Sequence, residues 1–330
     1  MVVGPGAVGG TVAARLAMSD HDVTVVARGA HLEAIRAAGL ELRDPAGSTI
    51  VRLAAVATVA EVAWTDDDVV LLAVKSQETA GVLAQLALLA PTLPVVCVQN
   101  GVHNELEAMR YFERVYGVVV MCPTVHLQPG VVVAHSHPVP GILDIGRFPT
   151  GVDDTSGEVA AAFTTAGFDA RSIDDVARWK WAKLITNLGN AVEAVCGPVT
   201  RAGRLGSMAS DEGRAALAAA DITYATAPEE RQRRAGILEL RPVDGGRRPG
   251  GSTWQSLRRG ASTETDFING EIVRLARLQG RAAPVNDLLQ RLVRQLAAAG
   301  APPGSVTETD VIGMLAQHQP GAATADVLSR

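Results

Sequence analysis

The chain has 330 residues, 47% hydrophobic and 20% charged, with a formal net charge of −5. This is the composition of a folded globular protein with core enough for one large or two ordinary domains, and its acidic balance argues against nucleic acid or an anionic membrane as a partner. The separated cysteines Cys97, Cys122 and Cys196 form neither a disulfide framework nor a metal-ligand spacing; with no secretory leader and no run near the ~18 apolar residues that span a bilayer, the cytoplasm is the expected compartment.

The chain opens on an apolar strand, Met1-Val2-Val3, that runs into Gly4-Pro5-Gly6-Ala7-Val8-Gly9 and then a helical pattern at Val12, Ala13, Leu16 and Ala17. In this order each glycine has a reason. Gly4 makes the tight turn, Gly6 lets a pyrophosphate approach the backbone, and Gly9 lets the helix pack on the sheet. The helix N-terminus then offers free N–H groups to phosphate. A Gly-rich turn without a ligand is the competing reading. Three residues are few for a strand, which usually has about five to six. Either the sequence as given starts a few residues late or its first strand is clipped, with a cost in stability or cofactor affinity.

Residues 22–27 form a β-branched second strand that ends at Arg28-Gly29. An NAD site usually places Asp or Glu there to hold the ribose hydroxyls. No acid follows here, and Arg28 can meet a 2′-phosphate instead, which points to NADP(H); an ordinary surface arginine is the alternative. A helix over 31–39 and a strand pair at 40–43 and 49–53 come next. Asp66-Asp67-Asp68 reads as a solvated approach to a strand, because consecutive aspartates cannot all face one ion. Residues 69–74 and 93–98 are continuous apolar runs, as in buried parallel strands. They give way to Lys75-Ser76-Gln77-Glu78 and to Gln99-Asn100-Gly101. Ligands of open parallel sheets sit beyond the carboxyl ends of the strands, so Lys75 and Asn100 are placed to face the same cofactor as the glycine loop.

Another strand is expected over 116–121, with antiparallel additions at 131–134 and 142–145. His135 and His137 share a strand face, but no third ligand stands at motif spacing and no metal site is expected. A helix over 156–166 and a strand over 168–173 close this half. Beyond it the pattern is helical, over 176–195, 212–224, 253–279, 285–298 and 308–317. The Gly/Pro-rich stretch 228–251, with interleaved arginines and acids, reads as a solvated surface loop or flap. The expected fold is α/β: a Rossmann-type doubly wound sheet over residues 1–173, binding the cofactor, and an all-helical domain over 174–330 for substrate and catalysis.

In the helix over 178–190, Lys183 and Asn187 lie one turn apart on one face, and Lys180 is a rival for any role given to Lys183. Glu264 lies within the long helix expected over 253–279, and Ser252 just before it could be an N-cap.

The set resembles the ketopantoate reductase (2-dehydropantoate 2-reductase) family. It is carried by the glycine loop, Ala27-Arg28-Gly29, Val74-Lys75-Ser76-Gln77, Gln99-Asn100-Gly101, Trp181-Ala182-Lys183-Leu184 with Asn187, and Ser252 with Thr263-Glu264-x-Asp266-x-Ile268-Asn269-Gly270. The motifs cover essentially the whole chain in order. The resemblance implies NADPH and substrate in a cleft between a Rossmann domain and a helical domain. It implies hydride transfer to the C2 carbonyl of a 2-oxo acid, with Lys183 as general acid and Glu264 interacting with that lysine and with the hydroxyl end of the substrate. It implies Asn100 near the reacting centre, Ser252 and Asn187 as substrate contacts, and Gly4, Pro5, Gly6, Ala7, Val8, Gly9, Arg28, Lys75 and Asn100 as the cofactor set. A small-molecule 2-oxo acid is the expected partner, with a homodimer as the candidate assembly.

The sequence departs from the family pattern at three places. Asn190 follows Asn187 by three residues where the family has an asparagine after four, and it is carried here as a substrate contact. Glu78 stands where glutamine is common. The Arg-rich stretch before Ser252 is an elaboration. Another 2-oxo acid as substrate, or a non-catalytic NADP(H) sensor, are therefore the competing functions, and an inter-helix salt bridge is the competing reading of Lys183 and Glu264.

Overall fold

The computed structural model describes residues 1–198 and 200–317. The glycine-rich start forms β1 (Val2–Val3) and α1 (Ala7–Ala17), followed by β2 (Thr24–Val26), α2 (Gly29–Ala38), β3 (Leu40–Asp44), β4 (Gly47–Val51) and β5 (Ala54–Val56). The apolar runs give β6 (Val70–Leu72) before α3 (Ser76–Leu89) and β7 (Val95–Cys97) before α4 (His103–Ala108). Then come β8 (Val115–Met121), β9 (Thr124–Val125), β10 (Val131–Ala134), β11 (Ser136–Pro138), β12 (Ile142–Arg147) and α5 (Asp154–Thr165).

A seven-stranded sheet runs β12-β8-β7-β6-β1-β2-β5. Its strands are parallel except β12, which pairs antiparallel with β8. Counting only the parallel strands in chain order, this is the Rossmann order 3-2-1-4-5-6, with the switch point between β1 and β6. Alternation along each strand sends side chains to two faces. Val2, Val25, Leu71, Val96 and Val118 join a layer with Val12 and Leu16 of α1 and Phe163 of α5. Val3, Val26, Leu72, Val95 and Val119 join the other layer, with Leu83 and Leu86 of α3. Both faces being covered is why these strands read as unbroken apolar runs. The pair β3–β4 forms as expected, but β10 runs parallel to β3 and antiparallel to β9, in a four-stranded sheet. The stretch expected as a strand over 168–173 runs parallel to β12, with bridges at Asp169 and Ser172 and backbone hydrogen bonds that include Leu143 N–H to the Asp169 carbonyl at 3.0 Å and Ile173 N–H to the Ile145 carbonyl at 2.8 Å.

The helix expected over 176–195 is two helices, α6 (Val176–Asn187) and α7 (Gly189–Cys196). At the break, the Leu188 carbonyl accepts a hydrogen bond from Asn269 Nδ2 at 3.3 Å. The helix expected over 212–224 is longer and earlier, α8 (Arg204–Ala219). The stretch read as a surface loop is ordered instead, with α9 (Ala227–Arg234) and β13 (Leu238–Leu240). Thr226 and Glu229 form a capping box that starts α9, and β13 pairs antiparallel with β11. The single helix expected over 253–279 is α10 (Ser252–Arg258) and α11 (Thr265–Leu278), separated by a turn at Gly260 with φ +61°. The last helices are α12 (Pro284–Ala298) and α13 (Glu308–Gln317).

The chain forms two compact units, Met1–Leu184 with Ile222–Pro249, and Ile185–Asp221 with the chain from Gly250. Residues 174–184 and 222–249, given to the second domain by the sequence pattern, thus belong with the first. The reason is ion pairing and strand addition. Arg233 is buried and meets Asp144 at 2.6 Å and Asp169 at 2.5 Å, and β13 extends β11. In the second unit, α12 buries Val285, Leu288, Leu289, Leu292, Val293 and Leu296, one helical face. Glu212 caps α12, accepting from the backbone N–H groups of Val285 at 2.8 Å and Asn286 at 2.9 Å. Residues 318–330, the end of the expected second domain, lie outside the described residues.

Candidate active site

The loop between β1 and α1 lies at the sheet's switch point. Gly4 has φ +91°, and a Cβ there would stand 2.8 Å from the Val74 backbone nitrogen. A Cβ at Gly9 would stand 2.4 Å from the Gly4 carbonyl oxygen and 2.8 Å from Ala73 Cβ, so α1 can approach the sheet only through glycine. Gly6 is the opposite case. Nothing lies within 4 Å of a Cβ built there. Gly6 is also the N-cap of α1 without a side-chain cap, so Ala7 and Val8 open the helix where intrahelical acceptors are missing. Open space in front of a helix N-terminus fits a diphosphate group.

A residue that the sequence pattern did not single out holds this loop. The Gly130 N–H donates to His31 Nδ1 at 2.8 Å, which leaves Nε2 as the donor to the Pro5 carbonyl at 2.7 Å. His31 thus joins the glycine loop to the turn before β10. A signal was present only in hindsight: a polar ring in the first turn of α2.

Arg28 is the N-cap residue of α2, at the carboxyl end of β2. Its guanidinium is 70% exposed and forms an ion pair with Glu78. Glu78 lies in the first turn of α3, whose N-cap is Lys75. Because β1 lies between β2 and β6 in the sheet, this pair reaches across the carboxyl end of β1, over the glycine loop.

Asn100 follows β7 and is half-buried. A buried network fixes the backbone around it. Gln99 Nε2 donates to the Val74 carbonyl at 2.7 Å and to Thr79 Oγ1 at 2.9 Å, and Thr79 Oγ1 donates to Asn104 Oδ1 at 2.9 Å. Asn104 Nδ2 then donates to Ser76 Oγ at 3.2 Å and to the Asn100 carbonyl at 3.0 Å. The loops after β6 and β7 are therefore one hydrogen-bonded piece.

The two lysines of α6 have different surroundings. Lys180 is buried, and its Nζ stands 2.6 Å from Glu105 Oε1. It also donates to the Gln99 carbonyl at 2.8 Å and the Val118 carbonyl at 3.2 Å. Burial holds the Glu105 carboxyl above its ordinary value, against the opposing pull of the Lys180 ammonium. Lys180 is committed to the protein interior. Lys183, one turn further on, is half-buried.

In the second unit the structure brings Asn190 and Ser252 together, with Asn190 Nδ2 3.4 Å from Ser252 Oγ. Asn190 is buried, and among the described residues its Oδ1 has no hydrogen-bond partner. Ser252 is the first residue of α10, and Gly251 is the N-cap in its place. Glu193, which the sequence reading missed, accepts from the Gly251 N–H at 3.0 Å. A Cβ at Gly251 would stand 2.7 Å from the same carboxylate. Its signal was an acid inside the apolar run of α7. Asn187 is buried, and Glu264 is the half-buried N-cap residue of α11.

The sheet order with a glycine loop at its switch point, followed by a helical unit, defines the class by fold: a Rossmann-type α/β protein with a helical second unit. Residues 1–150 match the family model described as ketopantoate reductase PanE/ApbA, and residues 175–297 match its C-terminal model. The chain belongs to the ketopantoate reductase family. It is 31% identical to a 2-dehydropantoate 2-reductase of Pyrococcus horikoshii, over 91% of this chain and 97% of that one. The crystal structure of a PanE/ApbA family ketopantoate reductase from Ralstonia eutropha JMP134 matches with a TM-score of 0.75 and 30% identity, covering 91% of this chain and 99% of the other. A D-mandelate dehydrogenase solved with NADH and anilino(oxo)acetate matches with a TM-score of 0.76 at 21% identity, over 91% and 99% of the two chains, a likeness of fold. Among the described residues no helix is long and apolar enough to cross a membrane.

Proposed function

We propose that this chain reduces 2-dehydropantoate (ketopantoate) to pantoate, a step toward pantothenate and coenzyme A, with NADPH as the reductant and Lys183 as general acid. The observation that supports this choice of acid is that Lys180 is committed to Glu105 and two backbone carbonyls, while Lys183, one turn further on, is half-buried. The family match supplies the reaction class.

In this reading Gly4 to Gly9 and the N-terminus of α1 hold the diphosphate, with Pro5, Ala7 and Val8 forming the wall of that loop. Arg28 meets the 2′-phosphate, and Lys75 and Asn100 border the nicotinamide side. The bound dinucleotide supplies a hydride to C2 of the 2-oxo acid. Lys183 polarises the C2 carbonyl by donating a hydrogen bond to its oxygen, then passes its proton to that oxygen as the alcohol forms. Glu264 orients the ammonium and accepts from the hydroxyl end of the substrate. Ser252 and Asn190 bind the substrate carboxylate end through donors, and Asn187 contacts the hydroxyl. Asn100 holds the reacting carbonyl in line.

A second reading has one observation in its favour. Asn190 sits against Ser252 with a free carbonyl oxygen, a donor–acceptor arrangement able to select a different 2-oxo acid. One assay separates these readings: NADPH oxidation, followed by absorbance, against a panel of 2-oxo acids that includes ketopantoate. Ketopantoate should give the highest kcat/KM. A better substrate elsewhere in the panel would move the assignment to that acid, and a flat response would favour a dinucleotide sensor. Lys183→Ala should lower kcat by about 10²-fold or more while dinucleotide binding is retained; normal turnover would remove Lys183 from the mechanism.

A further inference from the structure

The end of β2 has no acid in sequence, yet an acid stands beside it in space. Glu78 comes from the far side of β1, on α3, and its carboxylate engages the Arg28 guanidinium. The two residues are fifty positions apart in the chain. They meet because β2 and β6 are the two neighbours of β1, so the loops after them close over the glycine turn from both sides.

We propose that Glu78 is a cofactor-selectivity residue, which supplies from α3 the ribose-binding carboxylate missing from β2 and so makes the chain accept NADH alongside NADPH. This rests on the reading above that the first unit binds a nicotinamide dinucleotide. The two cofactors differ there by one group. A 2′-hydroxyl is a hydrogen-bond donor, and a carboxylate at this corner of a Rossmann sheet is its usual acceptor. A 2′-phosphate is a multiply charged acceptor that pairs with arginine, often through two parallel hydrogen bonds. Glu78 serves the first and opposes the second, both by repelling the phosphate and by occupying the guanidinium that would receive it. Arg28 does the reverse. The pair is exposed, at 70% for Arg28 and 37% for Glu78, so its members exchange partners at little cost. The arrangement therefore has two forms. With NADPH, Arg28 turns to the phosphate and Glu78 is left without its guanidinium. With NADH, the pair persists and Glu78 also takes the ribose hydroxyl.

The test is direct binding, which does not depend on turnover. Dissociation constants of NADP⁺, NAD⁺, 2′,5′-ADP and 5′-AMP are measured by calorimetry on the wild-type chain, Glu78→Gln, Arg28→Ala and the double variant. Glu78→Gln should tighten NADP⁺ and 2′,5′-ADP by about tenfold and weaken NAD⁺ by a few-fold. Arg28→Ala should shift the ratio the other way. In the Arg28→Ala background the gain from Glu78→Gln should shrink to about threefold or less, because most of it acts through the guanidinium. An NADP⁺/NAD⁺ ratio unchanged within about twofold in Glu78→Gln, with both dinucleotides bound, would overturn the proposal and leave the dinucleotide reading intact. Failure of the wild-type chain to bind any of the four probes would overturn that reading, and this proposal with it.

Discussion

Two ion pairs of the first unit have the same chemistry and opposite consequences. Lys180 and Glu105 are 2% and 0% exposed, whereas Arg28 and Glu78 are 70% and 37% exposed. In the interior, attraction is strong but both charges have lost water. The ammonium is held further by the Gln99 and Val118 carbonyls. The pair therefore acts as a fixed post that ties α6 to the ends of β7 and α4. At the surface, water competes with each partner and the bond contributes little to folding. That weakness makes it exchangeable for a ligand. Burial, more than the identity of the charges, separates a structural pair from one that can respond to a bound group.

The buried pair should give the largest loss of stability. Lys180→Met leaves Glu105 without its counter-charge and should cost about 3–5 kcal/mol in urea unfolding. Replacing both, Lys180→Met with Glu105→Leu, should recover most of that; no recovery would mean that the carbonyl contacts of Lys180, rather than the pair, hold α6. The cost should also depend on pH. Burial already raises the Glu105 carboxyl above its ordinary 4.5. A raised native value lends stability below the unfolded value, and this is lost as pH rises through the native one. Without Lys180 the native value climbs further, so the deficit of Lys180→Met should be larger at pH 8 than at pH 5. An equal deficit at both would show that Glu105 stays protonated in the wild-type chain.

Arg233 extends the comparison to a buried arginine, shared between Asp144 and Asp169. Arg233→Ala should cost about 3 kcal/mol and should expose the chain around 222–249 to proteolysis first. Cleavage elsewhere first would mean that β13, paired with β11, is enough to hold this segment. The smallest effect belongs to Arg28→Ala. Its unfolding free energy should change by no more than about 0.5 kcal/mol. A larger loss would show that the Arg28–Glu78 pair is a structural element, as the buried pair is.

Much of the fold was legible because local pattern and tertiary place agreed. The glycine spacing after Val3 needs a positive φ at Gly4 and close approach at Gly9, and no other residue type satisfies both. The strands β6, β7 and β8 read as apolar runs because both faces are covered. Helix breaks were hardly legible. Gly189 after Leu188 is a weak stop signal inside an otherwise apolar run, and the Leu188 carbonyl accepts a hydrogen bond from Asn269 of α11. The stretch 228–251 reads as a loop because its ordering partners lie elsewhere in the chain, Arg233 meeting Asp144 across eighty-nine positions. Of the residues singled out in the sequence, the structure puts the glycine loop at the sheet's switch point, Arg28 at the end of β2 and Asn190 against Ser252. The contacts of His31 and Glu193, and the partner of Glu78, were not legible because a single polar residue in a helix carries no local signal of what it touches.

By itself the sequence determined the glycine loop and the buried strands, because these depend on local backbone demands and hydrophobic period; Lys183, Ser252 and Glu264 were singled out by resemblance to a family, not by period. Only the tertiary structure decided which lysine of α6 is committed to the interior and which acid stands beside Arg28. Both are set by the sheet order, which brings the loops after β2, β1 and β6 side by side, and by the loss of water around Lys180 and Glu105. Neither neighbourhood nor desolvation is written in the spacing of residues along the chain.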